Sequence, residues 1–455
     1  MNMHSLGRTW SCAPILLLAG CATAGRGSFN EAQTDVERAG VVDARARGED
    51  AQAFRGPELG RAAYVRAVLH RNPSIESARQ SWRAAIARVR QAGALEDPMV
   101  NVEVAPLTIA SSRARFGYTA MISQRLPWPG KLSLEETMSK AESDAARSDF
   151  EGTRRELALS AALLYDEYFV AVRSLEINVA HVALMREMKG AALAQFATGR
   201  ASAQDPLQAE AELTHLEHDA VILASNRDVT MAQMNELLHR DPEAPLPPPA
   251  KDLALREVLP ASDGKHLGDE AAAHRPEIES ARLHARAEQA RGERAARESF
   301  PDLNLSTSYN SMWDMPEHRW MVGLGFNLPI QLGRRAGAID EAGAARARFE
   351  SEATVMTDKS RTEVTVAFKR LEEARHVLHL FETRLIPVAR EQVDAARAGF
   401  VVSRNDFVTV VGAEKNLRSV ELESQVARAN FDRRSAELER ALGRIPGLDA
   451  KELAQ

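Results

Sequence analysis

Cysteine is nearly absent from this sequence. Of its 455 residues only Cys12 and Cys21 are cysteine, so no disulfide framework can staple the folded part, and stability must come from packing or assembly. Aromatic residues are scarce at 5%, while alanine, leucine, arginine and glutamate dominate. That is the composition of long helices rather than of an all-β or α/β enzyme. Basic excess is missing too, because a formal net charge of -6 leaves no electrostatic footprint for nucleic acid. After Cys21 no apolar run reaches the roughly eighteen residues of a membrane-crossing helix. Nor is there a nucleophile elbow, a phosphate loop, a cysteine-rich metal site or an isolated carboxylate pair, so neither catalysis nor a cofactor is expected. What is present is the balance of a folded, water-compatible chain, 44% hydrophobic and 27% charged.

The first residues, with Arg8, a short apolar run over 14–19 and then small residues, read as a secretory signal over 1–20. The signal ends Leu18-Ala19-Gly20-Cys21, which resembles a bacterial lipobox and makes Cys21 the expected lipidation site and first mature residue. Ala22 in place of aspartate favours the outer membrane for such lipoproteins. Residues 21–56 are expected to form an extended, lipidated leader.

Beyond the leader the plan is written twice. "HRNPSIESAR" at 70–79 returns as "HRPEIESAR" at 274–282, and "LPWPGK" at 126 returns as "LPIQLG" at 328. A third, looser pair joins 197–213 to 397–417. Three matches in one order at nearly one offset indicate a duplication. The first repeat is expected over 57–240 and the second over 269–443, joined by a proline-rich connector at 241–268 and followed by a tail at 444–455.

Each repeat reads helix, two strands, long helix, tip, helix. Helices are predicted over 58–93, 131–198, 206–239, 276–298, 335–398 and 404–443, so the two long hairpins occupy 131–239 and 335–443. From Leu157 to Val182 apolar residues recur roughly every 3.57 positions, which is helical to coiled-coil spacing. Gly152 and Pro387 are expected to interrupt the long helices. Strands are predicted at about 99–109, 115–126, 302–312 and 319–330, where apolar and polar residues alternate with period two. Trp128, Trp313 and Trp320 lie at or beside strand ends, where an aromatic girdle would sit. A half-covered soluble sheet is the alternative.

A bilayer does not tolerate an open strand edge, and four strands cannot close a barrel. On the membrane reading the chain therefore supplies part of a shared barrel. Two copies would give eight strands filled by side chains, and three would give twelve with room for a water channel.

The duplicated plan, the two junctions "LPWPGK" and "LPIQLG", and the tip pattern Gly199, Asp205, Leu207, Ala209 together resemble the TolC-like outer-membrane factors over 57–443. Within that group the chain looks most like the lipoprotein members paired with heavy-metal or other resistance-nodulation-division (RND) pumps. The resemblance implies a mainly α protein with a membrane β-barrel. It implies a homotrimer giving four strands per chain to a twelve-stranded barrel in the outer membrane, with a tunnel of long helices in the periplasm. It also implies a passive efflux duct that partners a periplasmic adaptor and an inner-membrane RND pump, with no enzymatic activity, exporting metal cations or small toxic compounds. A type I secretion channel, or a periplasmic helical-hairpin scaffold or adaptor without a barrel, remains open.

Prolines lack the amide hydrogen needed to continue a strand or a helix interior. Pro127, Trp128, Pro129, Gly130, Pro329 and Gly333 are thus the expected strand-to-helix junction residues. Gly199, Asp205, Gly399 and Asp406 carry over as tip or entrance residues. Six aspartates in three copies would favour cations, whereas Asp205 and Asp406 as plain helix caps is the alternative. Two Glu-x-x-His-x-x-His runs, Glu212/His215/His218 and Glu373/His376/His379, lie at different distances from their tips, so no shared metal site is expected. Met312, Met315 and His318 fall between the last two strands and read as an exposed hairpin loop, weak contact of these soft ligands with an exported metal ion being the alternative.

Overall fold

The computed structural model describes residue 30 and residues 32–38, 54–109, 112–251, 253, 264–402 and 404–448. The expected signal over 1–20, Cys21, most of the leader, part of the connector and the last residues of the tail lie outside them.

In chain order the elements are α1 (Arg61–Arg71), α2 (Pro73–Ala92), β1 (Met99–Val104), β2 (Tyr118–Leu126), α3 (Lys131–Ala197) and α4 (Gln204–Leu237). The second half follows with α5 (Gly264–His274), α6 (Pro276–Arg297), β3 (Leu303–Asn310), β4 (Trp320–Phe326), α7 (Leu332–Leu380), α8 (Ile386–Val401) and α9 (Phe407–Ala441). Two strands followed by a long helical hairpin thus occur twice. The chain divides into two compact units, one built from 80–147 and 280–353 with the short N-terminal segment, the other from 54–79, 148–279 and 354–448.

The first unit carries one antiparallel sheet in the order β1-β2-β3-β4. Val102 pairs with Ala120, Ala120 with Tyr309, and Tyr309 with Trp320. The strands are shorter than the predicted runs. At one end Pro106 opens a 3-10 turn, Pro106–Thr108, because it has no amide to donate to the ladder. At the other end Asn327 Oδ1 takes the Asp302 amide at 2.6 Å, replacing a ladder bond and ending β4. Trp82, Ile86 and Val89 of α2 are buried, with the Arg147 guanidinium over the Trp82 ring at 5.6 Å.

The second unit is helical. One apolar cluster joins Leu267, Val364, Leu371, Leu378, Phe431 and Leu438, and another joins Val182, Met185, Leu213, Leu216, Phe407 and Val411. Tyr64 and Tyr165 are fully buried, each satisfied by a backbone carbonyl, Met234 O at 3.1 Å and Leu59 O at 2.6 Å. Arg61 forks onto the buried Asp166 at 2.9 and 2.7 Å, a bidentate pairing that offsets only part of its desolvation, so burial still pushes the Asp166 carboxyl up to about 6. By length and composition α3 could cross a membrane, but its Ala158, Ala161, Tyr165 and Phe169 are buried within this unit.

Two helix expectations are corrected, and the interruption expected at Pro387 is present. The helix predicted over 58–93 breaks at Asn72, whose extended backbone (ψ 125°) is the conformation a residue before proline is driven to. Gly152 does not interrupt α3, which runs 67 residues, about 100 Å, without a break; one glycine costs only about 1 kcal/mol against its helical neighbours. Pro387 is accommodated by a π turn, Phe381–Leu385, in which Ile386 N donates to Phe381 O five residues back. Widening the turn relieves the clash of the proline ring with the carbonyl four residues earlier.

Candidate functional site

The sheet has two chemically distinct faces. Residues opposite one another in the register share a face, so Val100, Val102 and Val104 lie with Ile122, Ala120 and Tyr118. Leu303, Leu305 and Tyr309 continue this face to Phe326, Leu324 and Trp320. The other face carries Asn101, Glu103, Thr119, Ser123, Asn304, Ser306, Ser308 and Asn310. The apolar face is uncovered: Val100 is 65% exposed, Trp320 67% and Val322 86%. So large a contiguous apolar surface marks a partner or a membrane. Phe116, Tyr118, Tyr309 and Trp320 form a chain of ring contacts of 5.3–5.8 Å at the β1–β2 loop end of the sheet.

Leu126 ends β2, and the next four residues turn the chain into α3. Gly130 has φ +89°, a left-handed conformation that glycine adopts without strain, and the Arg297 guanidinium occupies the space a side chain would need there. Trp128 stacks on Phe300 at 5.2 Å. Beneath them Asp302, 7% exposed, gathers the junction. It accepts from Lys131 Nζ at 2.7 Å, from the Trp128 amide at 3.0 Å and from Arg125 at 2.8 Å. Burial works to raise its pKa, but these donors outweigh burial and hold the carboxyl at about 2. Asp302 was not among the expected site residues. Its only sequence signal is an acid between Pro301 and a strand, while its partner Lys131 is 171 residues away. A cavity of about 500 Å³ beside it is lined by Arg125, Lys131, Glu135, Arg294 and Arg335.

At the second junction Pro329 lies between Leu328 and Ile330, and two short backbone bonds, Ile330 N to Leu328 O and Leu332 N to Ile330 O, turn the chain into α7. Gly333 is the second residue of that helix, with nothing near its missing side chain. Ile330 is 81% exposed.

The hairpin tips separate the expected residues by role. Gly199 has φ +72°, and bonds from Gly199 N to Phe196 O and Arg200 N to Gln195 O close a Schellman motif after α3. Asp205 is not a cap: it sits in the first turn of α4, behind Ala203, where an acid complements the helix dipole. Asp406 is the cap of α9, its Oδ1 accepting from the Thr409 amide at 3.1 Å. The Thr409 hydroxyl and amide hold its carboxyl below the ordinary value. Gly399 is not at a turn but inside α8, and the side chain of Asn405 fills the space beside it. The tips pack together through Phe407 against the Val182 cluster, and Phe400 meets Phe407 edge-on at 5.6 Å.

Among the described residues no three His, Cys, Asp or Glu side chains converge in a way that could hold a metal ion. Glu212, in the first Glu-x-x-His-x-x-His run, is buried and paired with Lys415. His218 lies against Asp219 at 3.6 Å.

One chain thus leaves a four-stranded sheet open, with a bare apolar face and two unpaired edges, between long helical hairpins in sequence. Residues 267–444 match the sequence profile of the family described as outer membrane efflux protein. No curated protein matches the chain significantly. Among solved structures the chain is similar to the transmembrane channel CusC, with TM-score 0.72 and 17% identity over 84% of this chain and 91% of that one. It is similar to the outer-membrane channel OprN, with TM-score 0.69 and 21% identity over 86% and 91%. The MtrE outer membrane channel of Neisseria gonorrhoeae, in its open state, aligns with TM-score 0.71 and 16% identity over 84% and 89%. The chain has the fold of these outer-membrane channels.

Proposed function

We propose that this chain is the outer-membrane and periplasm-spanning exit duct of a tripartite RND-type efflux system. The observation that carries the reading is the sheet: an uncovered apolar face, a polar face behind it, and edges β1 and β4 each paired on one side only. An apolar face suits lipid. Open edges do not, since each unsatisfied backbone group there costs several kcal/mol. Closure by three copies gives twelve strands and a water-filled interior lined by the polar face. The two long hairpins extend into the periplasm and present their tips to an adaptor and an inner-membrane pump, and Cys21 carries a lipid anchor. The division into two repeats joined by the proline-rich connector belongs to the same proposal. The duct is passive and its cargo is metal cations or small toxic compounds.

Light scattering of the detergent-purified protein together with planar-bilayer recording tests this reading. A trimer with discrete conductance steps is expected. A water-soluble monomer or dimer that never inserts overturns it in favour of a periplasmic scaffold. If Asp205 and Asp406 face the entrance, the Asp205→Ala, Asp406→Ala double variant changes conductance or cation preference; unchanged single-channel behaviour removes them from that role.

A further inference from the structure

The two faces of the sheet also differ in sulfur. Among the described strand residues the apolar face has no methionine, while on the polar face Met99, Met121 and Met321 are the only large apolar side chains. The register fixes their places. Met99 shares a row with Ser123, Ser306 and Gly323, and the next row runs Asn101, Met121, Ser308, Met321. Met121 and Met321 are two strand spacings apart, roughly 10 Å at the backbone, and the Met99 row lies roughly 7 Å away. Met99 is 69% exposed and Met321 43%, and the serines and glycines between them leave the thioethers clear. Further along, Met312 lies against Gly117, which precedes Thr119 by two residues, its Sδ 3.0 Å from where a side chain of residue 117 would begin.

Packing does not explain this placement. A lumen-facing residue has nothing to fill, and had any apolar side chain served, leucine or valine would occur there as they do on the other face. Methionine differs from them in its neutral, polarizable sulfur, a soft ligand that selects soft cations over potassium, magnesium or calcium. Single thioethers spaced along a wall bind weakly, and weak binding at several sites is what passage requires. Glu103 adds a carboxylate one row beyond Asn101, whose amide it accepts at 3.3 Å.

We infer that Met99, Met121 and Met321 form a thioether path for a soft monovalent cation, Cu(I) or Ag(I), along the channel-facing side of the sheet. The inference rests on the duct reading and names its substrate class.

The test uses the full-length trimer and a Met99→Leu, Met121→Leu, Met321→Leu variant, leucine being close to methionine in volume. Potassium nitrate currents across planar bilayers are titrated with silver nitrate, and silver retained by each protein is measured by equilibrium dialysis. Equal potassium conductance in the two proteins shows that the variant folds and assembles. Silver is expected to slow or block the wild-type current, with the half-blocking concentration rising roughly tenfold or more in the variant and retained silver falling. Potassium steps with the same silver response in both proteins overturn the thioether path and leave the duct standing. No potassium steps from either protein overturn both.

Discussion

The two strand-to-helix junctions hold equivalent places in a duplicated plan and are built in opposite ways. The first is locked: Gly130 turns left-handed under Arg297, Trp128 stacks on Phe300, and Asp302 ties Lys131, Arg125 and the Trp128 amide together. The second is bare, with Leu328, Ile330 and Leu332 exposed and Gly333 touching nothing. The carboxylate that locks the first junction lies immediately before β3, so it ties the end of β2 and the start of α3 to the third strand. The second junction follows edge strand β4, where another copy would add its own strand in the proposed trimer. What one chain leaves open there, assembly would cover.

The contrast can be broken most severely at Asp302. Asp302→Ala leaves the Lys131 ammonium buried without its partner and is expected to cost about 3 kcal/mol in denaturant unfolding. The pH dependence follows from the same group. Because its folded pKa of about 2 lies below the ordinary 3.8, its stabilisation is complete above about pH 4 and is lost as pH falls through 2. Asp302→Asn should lack that portion of the acid destabilisation.

At the glycines the two junctions should respond with opposite signs. Gly130→Ala forces a left-handed non-glycine residue into space held by Arg297 and should destabilise by about 2 kcal/mol. Gly333→Ala, in a helix with room around it, should stabilise by up to about 1 kcal/mol. Equal effects in thermal unfolding would erase the distinction between locked and bare.

The tips give the smallest effects. Asp406→Ala removes a helix cap and should cost about 1 kcal/mol, whereas Asp205→Ala, which caps nothing, should stay within about 0.5 kcal/mol. Amide exchange at the start of α9 and of α4 would separate the two.

Much of this fold is legible in the sequence. Period-two alternation located all four strands, and proline chemistry located both junctions, because each depends on neighbours along the chain. Strand ends were overrun because Asn327 and Asp302, 25 residues apart, decide where the ladder stops. Asp302 as a hub was invisible for the same reason: its donors come from β2, the junction and α3. The tip glycines looked alike in sequence yet answer to different causes, backbone sign at Gly199 and a neighbouring side chain at Gly399. The two rows of methionine follow only from a pairing register, which alternation alone does not supply.

The π turn before Pro387 carries a consequence for how such a chain can change. A five-residue turn is one residue longer than the bond pattern around it, so the extra residue is absorbed locally and the helix on either side keeps its register. The first hairpin has no such turn in α3. In the second hairpin a residue could be gained or lost at this point while Phe400 and Phe407 keep their seats.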